Sequence, residues 1–300
     1  MKRLGGRREL PYVALAAGVV ALSLSAMFVR WADAPGPVTA FYRMSLSALF
    51  LAPAFLSRRE RTAAVRHPHV VYPILAGVFT GLDLALWTSA LDFTTASNAT
   101  LLGNTSPLWV ALGAWLLFRE RLNRRFWVGL ALALAGAVLI LSTDFLLHPR
   151  FGIGDLMAIF TGFFYGCYFL ATQRSRERFD SLSHVWIAGV AASAALLITN
   201  LALGYPLAGY PAGTWVVFVS TAIVSQLVGY LALAYALGHL PARIVAPTMI
   251  LQPVLTTILA VPLLGEVPTV WQGLGGLIAL SGIYVVNQSH GRPERELPNA

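Results

Sequence analysis

Charge is what this sequence has least of. Asp, Glu, Lys and Arg make up 11% of its 300 residues while hydrophobic residues make up 57%, against about 25% charged residues in an ordinary globular chain. That shortage excludes intrinsic disorder and most water-soluble folds. Lysine is nearly missing, Lys2 being the only one among 21 basic residues. Cysteine is reduced to Cys167, inside an apolar run, so no intramolecular disulfide can form and a disulfide scaffold is excluded. Signatures of catalysis are absent as well, with no GxSxG elbow and no P-loop. The six histidines (67, 69, 148, 184, 239 and 290) fall in loops or at helix ends, so neither a buried metal site nor a histidine proton relay is expected, and no cofactor is. His67-x-His69 reads as two solvated loop residues rather than a metal pair. The net charge of +8 does not imply nucleic acid, because the arginines come in short clusters between long apolar runs and form no phosphate-binding face.

Those apolar runs are the main feature present. About 20 mostly apolar residues cross the ~30 Å of a bilayer's hydrocarbon as a helix, and ten segments qualify: 10–30, 37–57, 70–91, 94–118, 126–143, 152–173, 182–203, 214–237, 242–264 and 269–287. Polar or Gly/Pro-rich turns separate them, among them Ser57-Arg58-Arg59-Glu60-Arg61, Arg119-Glu120-Arg121, Arg174-Ser175-Arg176 and Gly204-Tyr205-Pro206. A β-barrel would alternate polar and apolar residues instead of running continuously apolar. The expected class is an all-α polytopic membrane protein. The first run follows Lys2, Arg3, Arg7 and Arg8 like a signal peptide, but it is too long for one and ends in Phe28, Val29 and Trp31, so it reads as a retained helix. With the N-terminus inside, eighteen of the 21 basic residues fall in inner segments, Arg30 and Arg150 outside, and Arg43 within the bilayer. The positive-inside rule therefore puts both termini in the cytoplasm of a cell's inner membrane.

Compared with itself at a shift of 146 residues, the chain repeats. Ala90-Leu91 falls on Ala236-Leu237, Ala96 on Ala242, Pro107 on Pro253, Glu120 on Glu266, Gly129 on Gly275, Ala133 on Ala279 and Gly136 on Gly282, without a gap. The expected units are 1–146 and 147–300, the second ending in a short cytoplasmic tail. Five helices per unit is an odd number, so the second unit enters the membrane upside down. Inverted-topology repeats of this kind suit a carrier whose halves rock about a midplane site.

The same residues carry a resemblance. Ala90-Leu91, Ala96-Ser97-Asn98-Ala99, Thr105-Ser106-Pro107-Leu108-Trp109, Arg119-Glu120-Arg121-Leu122 and Gly129…Gly136, echoed by Pro241-Ala242, Gln252-Pro253, Gly265-Glu266 and Gly275…Gly282, resemble the EamA-type branch of the drug/metabolite transporter superfamily. The resemblance covers residues 12 to 287 and implies a ten-helix, two-repeat carrier, often an exporter of amino acids or related metabolites. Arg43 stands where such proteins often carry an Arg in the second helix. Arg243 departs from the pattern, which has a small residue there.

Polar side chains inside a bilayer are costly unless they meet a partner or a wet cavity. On the third helix Thr80, Asp83 and Trp87 share one face; the fourth carries Ser97, Asn98, Asn104, Thr105 and Ser106. Thr161, Tyr165, Tyr168 and Thr172 form a stripe on the sixth, Gln226 and Tyr230 lie on the eighth, and Thr248 and Gln252 on the ninth. The functional expectation is one substrate cavity with aromatic walls, lined by Thr80, Asp83, Trp87, Asn98, Asn104, Thr161, Tyr165, Tyr168, Gln226, Tyr230, Thr248 and Gln252. The competing expectation is that such residues join helices, and for Ser97, Thr105 and Ser106 it is preferred. Gly162 and Gly166, with the Gly129/Ala133 and Gly275/Ala279 pairs, read as close-packing positions within a monomer or across a homodimer. Pro107 and Pro253 read as helix breaks, either hinges or inherited kinks. Glu120 and Glu266 are expected to pair with Arg or cap a helix. Arg43 and Asp83, at similar depths, are expected to pair; the alternative makes Asp83 a proton-coupling carboxylate. Efflux of lipophilic cations, and an intramembrane enzyme acting on a lipid or isoprenoid phosphate, are the other classes considered.

Overall fold

The computed structural model describes residues 6–90, 93–94, 99, 102–120, 122–141, 152–264 and 269–290, and among them there are helices and no strand. The elements are α1 (Gly6–Ser23), α2 (Ser25–Trp31), α3 (Gly36–Leu56), α4 (Arg59–Ala64), a 3-10 turn at Pro68–Val70, α5 (Val71–Ala90), α6 (Ser106–Phe118) and α7 (Arg124–Leu141). Then follow α8 (Ile153–Arg176), α9 (Ser181–Leu203), α10 (Ala212–Thr221), a π-helical segment (Ala222–Gly229), α11 (Tyr230–Leu237), α12 (Ala242–Thr248), α13 (Leu251–Leu264) and α14 (Val270–His290). Eight stretches among the described residues are long and apolar enough to cross a bilayer. The protein is an all-α, multi-pass membrane protein. Of the ten spans expected, the fourth is represented by the 13 residues of α6 and the fifth by the 18 residues of α7. The Arg-rich stretch after α3, expected as a plain turn, folds into α4 and the 3-10 turn.

Several expected single spans are broken. The first is interrupted at Leu24 between α1 and α2, the eighth holds the π-helical segment, and the ninth breaks between α12 and α13. Pro107 and Pro253 each stand in the first turn of a half-helix, α6 and α13, so each break lies just before its proline. That is where proline is tolerated, since its missing N–H would have had no intrahelical acceptor.

Small residues decide which helices lie closest. A Cβ on Gly129 would strike the backbone of Gly282 and Val286, and one on Gly136 would strike Gly275 and Ala279; Gly275 and Gly282 meet α7 in return. The order of approach runs oppositely along α7 and α14, so the two pack antiparallel with backbones nearly touching. Gly162 and Gly166 let α8 press on Leu102, Thr105, Ser106 and Trp109 at the start of α6, while Gly77 and Gly81 bring α5 onto Ala188 and Ala192 of α9. All of these approaches lie within one chain. The main core joins α1, α8, α11 and α12 around Leu15, Val19, Tyr168, Phe169 and Leu233.

Candidate functional site

Five elements bring polar groups together in the helix bundle. Arg43 enters from α3, Thr80 and Asp83 from α5, Thr161, Tyr165 and Tyr168 from α8, Gln226 from the π-helical segment and Tyr230 from α11. π-Helical turns are rare and recur at functional sites; here the widened turn carries Gln226. Its Oε1 accepts a hydrogen bond from Arg43 Nε at 3.0 Å, and Arg43 Nη1 donates to Ser25 Oγ at 2.9 Å. The guanidinium lies 5.5 Å from the centre of the Tyr230 ring, within cation–π range. Tyr165 and Tyr168 stack at 5.9 Å, and Tyr168 meets Tyr230 at 5.5 Å. Thr161 Oγ1 donates to the backbone carbonyl of Asp83 at 3.4 Å. Thr80, Tyr168, Gln226 and Tyr230, with Met44 and His184, line an internal space that now has room for about one water molecule.

The expected ion pair between Arg43 and Asp83 is not formed. No contact within 4.0 Å joins the two; the guanidinium is taken instead by Gln226, far along the chain, and by Ser25 of the preceding helix α2. Of the residues expected to line a cavity, Asp83, Trp87, Asn104, Thr161, Tyr165, Thr248 and Gln252 are not on the walls of this space. Thr248 Oγ1 donates to Ile244 O at 2.8 Å and Gln252 Nε2 to Leu22 O at 3.2 Å, the second tying α13 to α1. Trp87 packs instead beside Ala90, Ala99, Leu102, Met157 and Ala158. Asn104 sits in the turn before α6, and Asn98, like Ser97 and Glu266, lies outside the described residues.

Two further features lie at the helix ends. His184 is at the start of α9 but not solvated: it is 1% exposed, its Nδ1 lies 2.9 Å from Ser175 Oγ, and its ring reaches the cavity. Arg176 folds beneath it, donating from Nε to Ala234 O at 2.9 Å and from Nη1 to Phe179 O. Sequence position alone put this histidine at a helix end, and its place within the apolar run 182–203 was the signal for burial. The unexpected Arg243 has a partner. Its Nε lies 2.9 Å from Glu120 Oε2, an ion pair joining the end of α6 to α12, although the N–H does not point along that line. Arg119 closes α6 with φ 54°, the left-handed conformation, and so turns Glu120 toward α12. Ser25, which holds Arg43, was also missed, being one hydroxyl in a long apolar run.

The sequence model of the EamA-like transporter family matches residues 10–142 and again 152–288. A protein of Archaeoglobus fulgidus named an uncharacterized transporter is 31% identical over 252 residues, covering 82% of this chain and 86% of its own. A riboflavin transporter of Rhizobium johnstonii is 26% identical, covering 92% of this chain and 90% of its own. A probable terminal-alkyne amino-acid exporter of Streptantibioticus cattleyicolor is 24% identical over 64% of each chain. A protein known from a crystal structure superposes with a TM-score of 0.78 at 19% identity, covering 96% of this chain and 99% of its own, a likeness of fold.

Proposed function

The chain belongs to the EamA-like transporter family, and from that premise we propose that it is a secondary carrier of the inner membrane exporting small metabolites, amino acids or related compounds first among them. It works by alternating access, with ten membrane helices in two inverted five-helix repeats, 1–146 and 147–300, and both termini cytoplasmic. The observation that carries this reading is the polar and aromatic cluster of Arg43, Asp83, Tyr165, Tyr168, Gln226 and Tyr230, drawn from both halves into the interior of the helix bundle. An inverted repeat agrees with the antiparallel packing of α7 on α14, residues that the 146-residue shift superposes. The cavity is too small for a metabolite as it stands, which fits an occluded stage of the cycle, and the breaks before Pro107 and Pro253 are the hinges that open it. The relative named an amino-acid exporter supports the substrate class.

A second reading, efflux of lipophilic cations, rests on Asp83, a deep acid without an ion-pair partner within 4.0 Å among the described residues; the same acid would serve proton coupling. Efflux from cells loaded with a panel of amino acids and cationic dyes, with and without an imposed pH gradient, tests both readings. Amino-acid efflux that requires the protein is the expected result. Dye efflux alone favours the second reading, and no protein-dependent efflux of any solute would overturn the carrier.

A further inference from the structure

The buried charges of the cluster narrow what such a carrier takes, an argument that rests on the carrier reading above. Arg43 is 7% exposed, and among the described residues no carboxylate lies within 4.0 Å of it. Its Nε and Nη1 donate to neutral oxygens of Gln226 and Ser25, and its other terminal nitrogen has no partner among the described residues. Asp83 is 8% exposed, and none of the described side chains donates to its carboxylate; only its backbone carbonyl is engaged, by Thr161. Burying either charge is costly unless something completes it. The two are joined through one set of neighbours: the Arg43 guanidinium lies 5.5 Å from the Tyr230 ring, Tyr230 meets Tyr168 at 5.5 Å, Tyr168 stacks on Tyr165 at 5.9 Å, and Thr161 of the same helix donates to the Asp83 carbonyl. Each charge therefore lacks a contact partner of the opposite sign, and the tyrosine cluster connects the two.

One solute supplies both partners at once. A lipophilic cation would meet Asp83 and be repelled by Arg43, and a simple carboxylate would meet Arg43 and be repelled by Asp83. A molecule with a carboxylate at one end and an ammonium nearby satisfies both. We infer that Arg43 and Asp83 are the two poles of a zwitterion site, the guanidinium taking the carboxylate and Asp83 the ammonium, with the rings of Tyr165 and Tyr230 along the apolar part of the solute. Gln226 is then a positioning residue: through Arg43 Nε it fixes the plane of the guanidinium.

The test uses the full-length protein purified and reconstituted in liposomes, with radiolabelled counterflow of three matched sets. Each set keeps one apolar group and changes only the charges: alanine, ethylamine and propionate; leucine, isoamylamine and 4-methylpentanoate; phenylalanine, phenethylamine and 3-phenylpropionate. The wild type is expected to prefer the zwitterion at least tenfold over both singly charged members of one set or more, because a site built for a polar group rejects the analogue lacking it. Asp83→Asn is expected to shift preference toward the carboxylate, and Arg43→Gln toward the amine. Should either variant fail to fold, Asp83→Glu and Arg43→Lys, which keep the charges, are expected to retain the zwitterion preference at lower affinity. Wild-type ratios near one in every set would overturn the site, as would variants that lose all three solutes equally. Counterflow of a dye or flavin but of no zwitterion would overturn it while leaving a carrier standing. No counterflow of any solute would instead remove the carrier reading itself.

Discussion

The α7–α14 contact and the polar cluster obey opposite rules under the same 146-residue shift. In the contact the residues repeat identically: Gly129 with Gly275, Ala133 with Ala279, Gly136 with Gly282. In the cluster nothing repeats. Arg43 falls on Gly189, Asp83 on Gly229, Thr80 on Gln226, Tyr165 on Val19 and Tyr168 on Leu22. Two copies of a backbone need the same small residues wherever they touch, because a methyl group too many is felt directly. A site that holds one solute in one orientation needs its charges once. In this comparison symmetry marks packing and asymmetry marks chemistry.

The most severe way to break the comparison is at the contact. A Cβ at Gly136 or Gly282 would meet backbone, which cannot swing aside as a side chain does. Gly136→Val and Gly282→Val are each expected to cost about 3 kcal/mol or more, read as a loss of monodisperse protein in detergent and a lower unfolding temperature. Gly273→Ala, on the same helix with nothing within 4 Å, is the control and should change neither.

At the cluster the expected loss is of affinity, with the fold kept. Removing the ring of Tyr165, which is only partly buried beside the core, by alanine should weaken apparent substrate affinity by ~1–3 kcal/mol, severalfold to a hundredfold, whereas Tyr168 belongs to the core, so that Tyr168→Ala should cost stability as well. Gln252→Leu breaks a helix-joining hydrogen bond to Leu22 outside the cavity and should leave affinity near normal. If affinity instead fell most for Gln252→Leu, the division between packing and site residues drawn above would be wrong.

How legible was this division in the sequence? The α7–α14 contact was visible as small residues at matching repeat positions, but whether it closed within one chain or between two was not. That depends on where α14 returns, which periodicity does not encode. The aromatic stripe of α8 was legible because Thr161, Tyr165 and Tyr168 share a face by helical spacing, and the structure places all three at the cluster. Thr248 and Gln252 looked the same by that measure, yet a Gln side chain is long enough to reach the backbone of the next helix, and spacing cannot tell that use from a cavity. Depth along the helices put Arg43 and Asp83 at similar levels and so suggested a pair. It carried no information about Gln226 and Ser25, which reach the guanidinium from other parts of the chain.

A milder test addresses a site where the repeat itself differs. Arg243 corresponds to Ser97, so the bridge from Arg243 to Glu120 has no counterpart of the same charge. Both side chains are partly exposed, and breaking the bridge with Glu120→Gln is expected to cost about 0.5–1 kcal/mol of stability. Exchanging the two, Arg243→Glu with Glu120→Arg, should recover part of that loss. A double-mutant cycle with no coupling would mean that the bridge contributes nothing and that Arg243 serves another purpose.

The smallest effect is expected where two corresponding helices begin differently. Pro35 precedes α3 and offers no side-chain cap, whereas Asp180 before α9 accepts hydrogen bonds from Leu182 N at 2.9 Å and Ser183 N at 3.1 Å, with Arg61 3.5 Å away. Burial alone would raise the Asp180 carboxyl, but the Ser183 backbone and hydroxyl, Arg61 and the Leu182 backbone outweigh it and hold the group below its ordinary value. A depressed carboxylate contributes stability that is complete above the unfolded value of about 3.9 and disappears as pH falls through the folded one. Asp180→Asn keeps the capping oxygen and loses only the charge, so at pH 7 it should cost a few tenths of a kcal/mol. The difference in unfolding temperature between wild type and Asp180→Asn is expected to hold from pH 7 to 5 and to vanish in more acid solution. A difference that grew on acidification would mean that the ionised form is disfavoured in the folded protein, and that α9 is started by its apolar packing alone, as α3 is.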